Sequence, residues 1–370
     1  MIKLKEFRMK RLYIVYVFFT CFTISLFSQE TSGKLFTGLP EGLTISGYTD
    51  VYIAYDNDKN LTPRSYSSIA PYRDEFRLNI AQISAKYSNE KIRSTITVQY
   101  GDVPRINWPS DNQFIQEANI GFSPSKNIWI DAGYFLTHIG GEGIIPKYNY
   151  FQSLALTTYY EPFFQSGIKL SYAGKKFYGA LHLLNGFNVF SDNNKNKSVG
   201  VTLGYKPNDK IDFTLNNIIG NEQPYPSPGK TRAYNNLVIK FFPHKKVDVI
   251  FCGDVCYQEE SKIKDTTEAA TMFSAFASVK FHASKKFSVS VRGEIFRDEN
   301  GFMSGRFLDT DTNLTGFKAF GITGGLEYNP TDNSYIRFET RYISADSKQK
   351  IFYDNSNSKI EIILSSGIEF

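Results

Sequence analysis

The chain has 370 residues, 41% apolar and 21% charged, with a formal net charge of +5 and a mean hydropathy of −0.31. That composition excludes a protein built of apolar membrane-spanning helices and excludes a highly charged disordered chain. Aromatics reach 16%, from 32 Phe and 24 Tyr against 2 Trp, a bias that suits the pleated, half-buried surface of many short strands.

The positive charge sits at the start. Without Lys3, Lys5, Arg8, Lys10, Arg11 and Glu6, bases and acids differ by one, so no nucleic-acid footprint remains and no nucleic-acid partner is expected. This basic stretch leads into the apolar run Leu12 to Phe27, followed by Ser28-Gln29-Glu30. Charged, apolar and small-residue regions in that order make a secretory signal over residues 1–28, cleaved after Ser28. The run is shorter than the ~20 residues a spanning helix needs, and no basic stop-transfer block follows. Residues 29–43 are then a short segment ahead of the first strand.

From residue 44 onward the recurring signal is alternation. In Ile92 to Tyr100 one face is Ile92, Ser94, Ile96, Val98 and Tyr100, and the other is Arg93, Thr95, Thr97 and Gln99. Phe287 to Phe296 repeats it, with Phe287, Val289, Val291 and Ile295 against Ser288, Ser290, Arg292 and Glu294. A period of two with one polar face is a strand wetted on one side. Sixteen such strands are expected near 44–55, 75–87, 91–101, 113–122, 128–138, 163–172, 177–186, 198–206, 211–220, 233–242, 247–257, 271–281, 287–297, 318–328, 335–345 and 359–370.

Their connections alternate in length. Ser88-Asn-Glu90, Ser123 to Asn127, Ala173 to Lys176, Pro207 to Lys210, Pro243 to Lys246, His282 to Lys286 and Asn329 to Ser334 carry hairpin-turn chemistry. The intervening connections, 56–74, 102–112, 139–162, 187–197, 221–232, 258–270, 298–317 and 346–358, are longer. Short turns at one end and long loops at the other are the layout of an outer-membrane barrel, not of a Greek-key sandwich. An aromatic precedes each tight turn (Tyr87, Phe122, Tyr172, Tyr205, Phe242, Phe281, Tyr328), as in a girdle at headgroup depth. The chain ends in Ser-Gly-Ile-Glu-Phe370, a strand free to pair with the first and close the barrel. Its terminal Phe370 resembles the sorting signal read by the outer-membrane assembly machinery.

Ile45-Ser-Gly-Tyr-Thr-Asp-Val-Tyr52, Ile130-Asp-Ala-Gly-Tyr-Phe-Leu-Thr-His-Ile-Gly-Gly-Glu142 and Gly167 to Tyr172 resemble the β-barrel porin-2 (OmpL-like) family of outer-membrane porins. The resemblance runs loosely over residues 44–370 and is specific around 130–170. It implies an outer-membrane barrel of porin-like permeability, without naming a solute or a catalytic residue.

If the apolar faces meet lipid, the alternate residues line the lumen: Arg93, Glu117, Asp131, Lys169, Asp212, Arg292, Glu294, Arg337, Glu339 and Arg341. Both signs appear, so a wall of this kind passes small polar solutes. Arg292, Arg337 and Arg341 either form a basic patch or pair with Glu294 and Glu339, and pairing is the simpler expectation. Loop 139–162, opening Gly140-Gly-Glu-Gly143, is the candidate constriction, with Glu142, Lys147 and Tyr148 as its narrowing residues. His138, His182, His244 and His282 show no ligand spacing, so no metal site and no cofactor are expected. Only His138 is placed like a rim catalytic base, and its geometry toward Asp131 is poor. Cys252 and Cys256 share a strand face ~13 Å apart, too far for a mutual disulfide, and are expected as small, partly buried lumen residues.

The sequence therefore reads as an all-β, transmembrane, antiparallel up-and-down barrel of about sixteen strands, exported to the outer membrane of a bacterial cell. The expected function is passive diffusion of small hydrophilic solutes or ions, not catalysis. The alternative is a barrel-anchored surface binding or adhesion protein acting through its long loops. A TonB-dependent importer would need ~22 strands and a plug. Lipid surrounds such a barrel, and association as a homotrimer is a fold-level analogy.

Overall fold

The computed structural model describes residues 39–370, so the signal expected over 1–28 lies outside the described residues. Strands β1 (Leu43–Asp56), β2 (Arg77–Ser88), β3 (Ile92–Tyr100), β4 (Ile115–Ser125), β5 (Ile128–Leu136), β6 (Phe164–Ala173), β7 (Phe177–Leu184) and β8 (Ser198–Asn208) form one half of a sheet. The other half is β9 (Ile211–Asn221), β10 (Thr231–His244), β11 (Val247–Gln258), β12 (Ala270–His282), β13 (Phe287–Arg297), β16 (Lys318–Tyr328), β17 (Ser334–Ala345) and β18 (Ser358–Glu369). Each pairs antiparallel with its neighbours, and β18 pairs with β1 to close a sixteen-stranded barrel. All sixteen expected strands are present. A two-residue ladder, β14 (Phe307–Leu308) with β15 (Leu314–Thr315), stands apart in the loop between β13 and β16.

Alternation decides which side faces out. On β13, Phe287, Val289 and Val291 are exposed while Ser288, Ser290, Arg292 and Glu294 are buried. Polar side chains inside and apolar ones outside invert a soluble protein, and match a barrel with lipid around it and a polar lumen. At the turn end Phe122, Tyr172, Tyr205, Phe242 and Phe281 are exposed, and Phe177 stacks on Tyr205 and Phe287 on Tyr328 with centroids 4.7 Å apart.

Proline shapes three of the turns. The ladder shifts register between Phe122 and Ser125, between Tyr205 and Asn208, and between Phe241 and His244, at Pro124, Pro207 and Pro243. A residue without an N–H cannot continue a ladder and is confined to such bulges. The chain then turns on two residues, as at Lys126-Asn127, where Asn127 takes φ 67°. At the seam, Gly47 and Phe370 exchange backbone hydrogen bonds of 2.7 and 2.9 Å. The Phe370 ring lies over Gly47, 2.4 Å from where a Cβ would stand.

The long loops carry structure that alternation does not signal. The second contains helix α1 (Asp102–Asn107) and the third contains helix α2 (Leu156–Tyr159). Both loops, with the first, send apolar side chains inward: Ile69, Val103, Trp108, Ile144 and Ile145 pack with Tyr48, Tyr52 and Ile363 from the inner barrel face. At ~1.5–3 kcal/mol per fully buried large side chain, this packing holds the loops inside as firmly as a core holds a helix.

Candidate functional site

The lumen has two unlike walls. Along β1, β11–β13 and β16–β18 most of the inward charged side chains are buried, some against the third loop and some against the first. Six of them, with Arg64 and Glu142 from the loops, form one continuous ion-pair chain. Asp56 pairs with Arg64 of the first loop (2.7 Å), Arg64 with Glu361 (3.3 Å), and Glu361 with Lys359 (2.6 Å) and Arg341 (3.5 Å). Arg341 pairs with Glu294 (2.9 Å), and Arg292 bridges Glu294 (3.9 Å) to Glu142 of the third loop (2.8 Å). Charges taken out of water need such partners, and removing one typically costs about 3–5 kcal/mol.

The third loop runs down this wall. Glu294 accepts the Leu156 N–H (2.5 Å), Glu339 accepts the N–H of Gln152 (2.6 Å) and Ser153 (3.1 Å), and Arg292 donates to the Ser153 carbonyl (2.8 Å). Gln152 also donates to Asp50 on β1 (2.7 Å). Lower down, Arg337 donates to the Pro146 carbonyl (2.7 Å), and Lys147 pairs with Glu369 at the turn end. The loop thus reaches from the loop end to the last residues of β18, with Tyr148 projecting freely at 70% exposure.

The sequence-based pairing is half right. Arg341 does pair with Glu294, but Arg337 pairs with Glu327 (2.6 Å), and Glu339 holds loop backbone instead of an arginine. Asp50, Glu327, Lys359 and Glu361 were missed as inner-wall residues. The strand period alone places Lys359 and Glu361 on the polar face of β18, so the signal was available.

The opposite wall, β2–β9, keeps partly exposed polar groups. Arg93, Glu117, Lys169 and Asp212 are half-buried on it, with Thr95, Asn119, Ser171, Thr202 and Thr214. Asp131, 2% exposed, accepts from Arg93 Nε (2.6 Å) and lies 3.7 Å from Lys169. Arg93 stacks over Trp129 (4.4 Å) and Lys169 over Phe135 (4.8 Å). Asp212 accepts from the Tyr178 hydroxyl (2.7 Å). These contacts hold charged heads at fixed points beside the space the third loop leaves.

Residues 42–370 match the family described as putative β-barrel porin-2, OmpL-like. The chain belongs to this family. Its fold is that of solved outer-membrane porins. OmpT of Vibrio cholerae, in its trimer form, superposes with TM-score 0.59 at 10% identity, over 89% of this chain and 99% of that one. The anion-selective porin from Comamonas acidovorans gives 0.57 at 10% identity, over 89% and 99%. Salmonella typhi OmpF, in complex with daunomycin, gives 0.57 at 12% identity, over 89% and 97%. No curated protein sequence matches the chain.

In this porin-family barrel two of the histidines pack against each other. His138 stacks on His182 with centroids 4.0 Å apart, and its ring nitrogens meet Gln165 (2.8 Å) and the Asn217 carbonyl (3.0 Å). Both nitrogens have partners in the barrel wall, and Asp131 is bound to Arg93, not to His138. The two cysteines are free and more deeply placed than the sequence suggested, each fully buried on the inner face of β11.

Proposed function

We propose that the barrel is an outer-membrane channel for passive diffusion of small hydrophilic solutes or ions, with the third loop as its constriction. What carries the reading is the asymmetry of the lumen. One wall is covered by the third loop through the buried Arg292–Glu142 pair and hydrogen bonds to the loop backbone, while Arg93, Glu117, Lys169 and Asp212 on the other stay half-exposed. A path bordered by fixed charges of both signs admits small hydrated solutes and sets their charge preference by the groups at its narrowest point. The wall charges Arg292, Glu294, Arg337 and Glu339 hold the loop, with Arg341 supporting Glu294; Glu142 and Lys147 are its anchors, and Tyr148 faces the path.

The rest of the reading extends the expectations drawn from the sequence. Residues 1–28 direct export and are removed, the tight turns face the periplasm, Phe370 is presented to the assembly machinery, and the barrels associate as homotrimers. Swelling of liposomes carrying the refolded barrel, in sugars of graded size, tests the permeability. Uptake of the smallest sugars with a sharp size limit is expected. Equal impermeability to all of them, with inserted and folded protein, contradicts it.

A second reading has its own observation. Ile69, Val103, Trp108, Phe163 and Phe190 pack together inside the loop end of the barrel. A lumen closed there would make the barrel an anchor for surface binding through the long loops.

A further inference from the structure

One adjacent pair of buried carboxyls in the lumen has no cation beside it. Glu161, at the end of the third loop, and Asp254, on β11, are 4% and 1% exposed. Their partners are neutral: Asp254 accepts from Tyr234 (2.7 Å) and Asn236 (2.6 Å), and Glu161 is approached by Asn236 (3.5 Å) and the Cys252 thiol (3.7 Å). Among the described residues Glu161 Oε2 has no hydrogen-bond partner at all. A buried, unpaired carboxylate oxygen costs several kcal/mol unless a proton or a cation meets it.

One donor atom each from Glu161, Cys252 and Asp254 lies within 4.8 Å of the others, with all three residues buried. Tetrahedral zinc with bonds of ~2.0–2.3 Å sets ligand separations of about 3.3–3.7 Å, which the Glu161–Cys252 pair already meets, and Glu161, carried by a loop, can supply the remaining contraction. The outer shell is built as metal sites are. Asn236 donates to Asp254 and to the Cys252 sulfur (3.2 Å), and is itself fixed by the Gly140 N–H (3.1 Å) and by Asn216 (2.9 Å). Glycine makes the approach possible. A Cβ at Gly140, where φ is +106°, would stand 2.3 Å from Glu161 Oε2, and one at Gly141 would stand 3.0 Å from Cys252 Cβ. A cavity of about 180 Å³ bordered by Glu161, Gly140 and His138 lies on the Glu161 side of the cluster.

We infer that Glu161, Cys252 and Asp254 form a three-ligand site for a thiophilic divalent metal of the zinc class, clamping the third loop to β11. The thiolate selects zinc-class ions over calcium and magnesium, which prefer oxygen alone. The inference holds whether or not the barrel conducts.

The test is titration of Cd(II) into chelator-stripped full-length barrel in detergent, following the ultraviolet metal–thiolate charge-transfer band. One equivalent is expected to bind, displaced by Zn(II) and not by Ca(II) or Mg(II). The band should vanish in C252S and persist in C256S, the other buried thiol. E161Q, a loop substitution that spares the barrel wall, should weaken binding at least about tenfold and serves as the readout if C252S does not fold. Folded wild-type protein without the band, a band that survives C252S, or unchanged affinity in E161Q would overturn the site.

Discussion

The carboxylate of Glu339, on β17, accepts the backbone N–H of Gln152 in the third loop at 2.6 Å, and that of Ser153 at 3.1 Å. A wall carboxylate is thereby neutralised by loop backbone where a cation would be the usual partner. Charge-assisted bonds of this kind contribute about 1.5–3 kcal/mol each, and Gln at 339 keeps the shape while losing the charge. Glu339→Gln is expected to loosen residues 139–162, raising their proteolytic cleavage and the channel conductance while the barrel stays folded. Cleavage and conductance equal to wild type would contradict this role.

Arg292 is the link between loop and wall with the most partners: Glu142 (2.8 Å), the Ser153 carbonyl (2.8 Å), the Ser153 hydroxyl (3.0 Å) and Thr323 (3.1 Å). Truncating it leaves Glu142 buried and unpaired, at a cost of about 3–5 kcal/mol. Arg292→Ala should lower the thermal transition of the barrel, read by heat-modifiable gel migration, and widen the pore. The double change Arg292→Met with Glu142→Leu removes both charges and should recover most of the stability. A double variant no better than the single would show that the pair itself is not what matters.

Asp131 holds two cations, Arg93 at 2.6 Å and Lys169 at 3.7 Å, on the half-exposed wall. Asp131→Asn frees both positive charges beside the path. Under a salt gradient the reversal potential is expected to move toward anion permeation, and Lys169→Glu is expected to move it the other way. Two variants with the same reversal potential as wild type would place the selective point elsewhere.

Gly133 on β5 faces Gly167 on β6, with φ of 131° and 152°. A Cβ on Gly133 would meet the Ala118 carbonyl oxygen at 2.2 Å, and one on Gly167 the Leu183 carbonyl oxygen at 2.0 Å. Backbone cannot swing aside as a side-chain tip can. Gly133→Ala and Gly167→Ala should each destabilise the barrel by about 1–3 kcal/mol, lowering the yield of refolded protein. By contrast Gly293→Ala, where a Cβ meets nothing within 4 Å, should refold normally.

How much of this was legible in sequence follows from what repeats. Strands declare themselves because a lipid face and a lumen face alternate along the chain, and Phe287 to Glu294 does so without a break. The closing seam was legible as well, since a final strand ending at Phe370 has β1 to pair with. The third loop has no period. Glu142 and Lys147 were picked out as narrowing residues, but nothing local says that one meets Arg292 at mid-lumen and the other Glu369 at the turn end. Those contacts depend on which strands the closed barrel brings across from residue 142. Helix α2, only four residues long, falls below any periodic signal. The Glu161, Cys252 and Asp254 cluster joins residues 91 positions apart in sequence, and its only local trace is the Gly140-Gly141 pair that makes room for it.

The most direct test of a conducting lumen is single-channel recording of the refolded barrel in a planar bilayer. Discrete, stable current steps are expected, larger in Glu339→Gln than in wild type because the third loop narrows the path. Silence from protein verified as folded and inserted, in both wild type and the loop-releasing variant, would contradict the channel and leave the long loops as the functional surface.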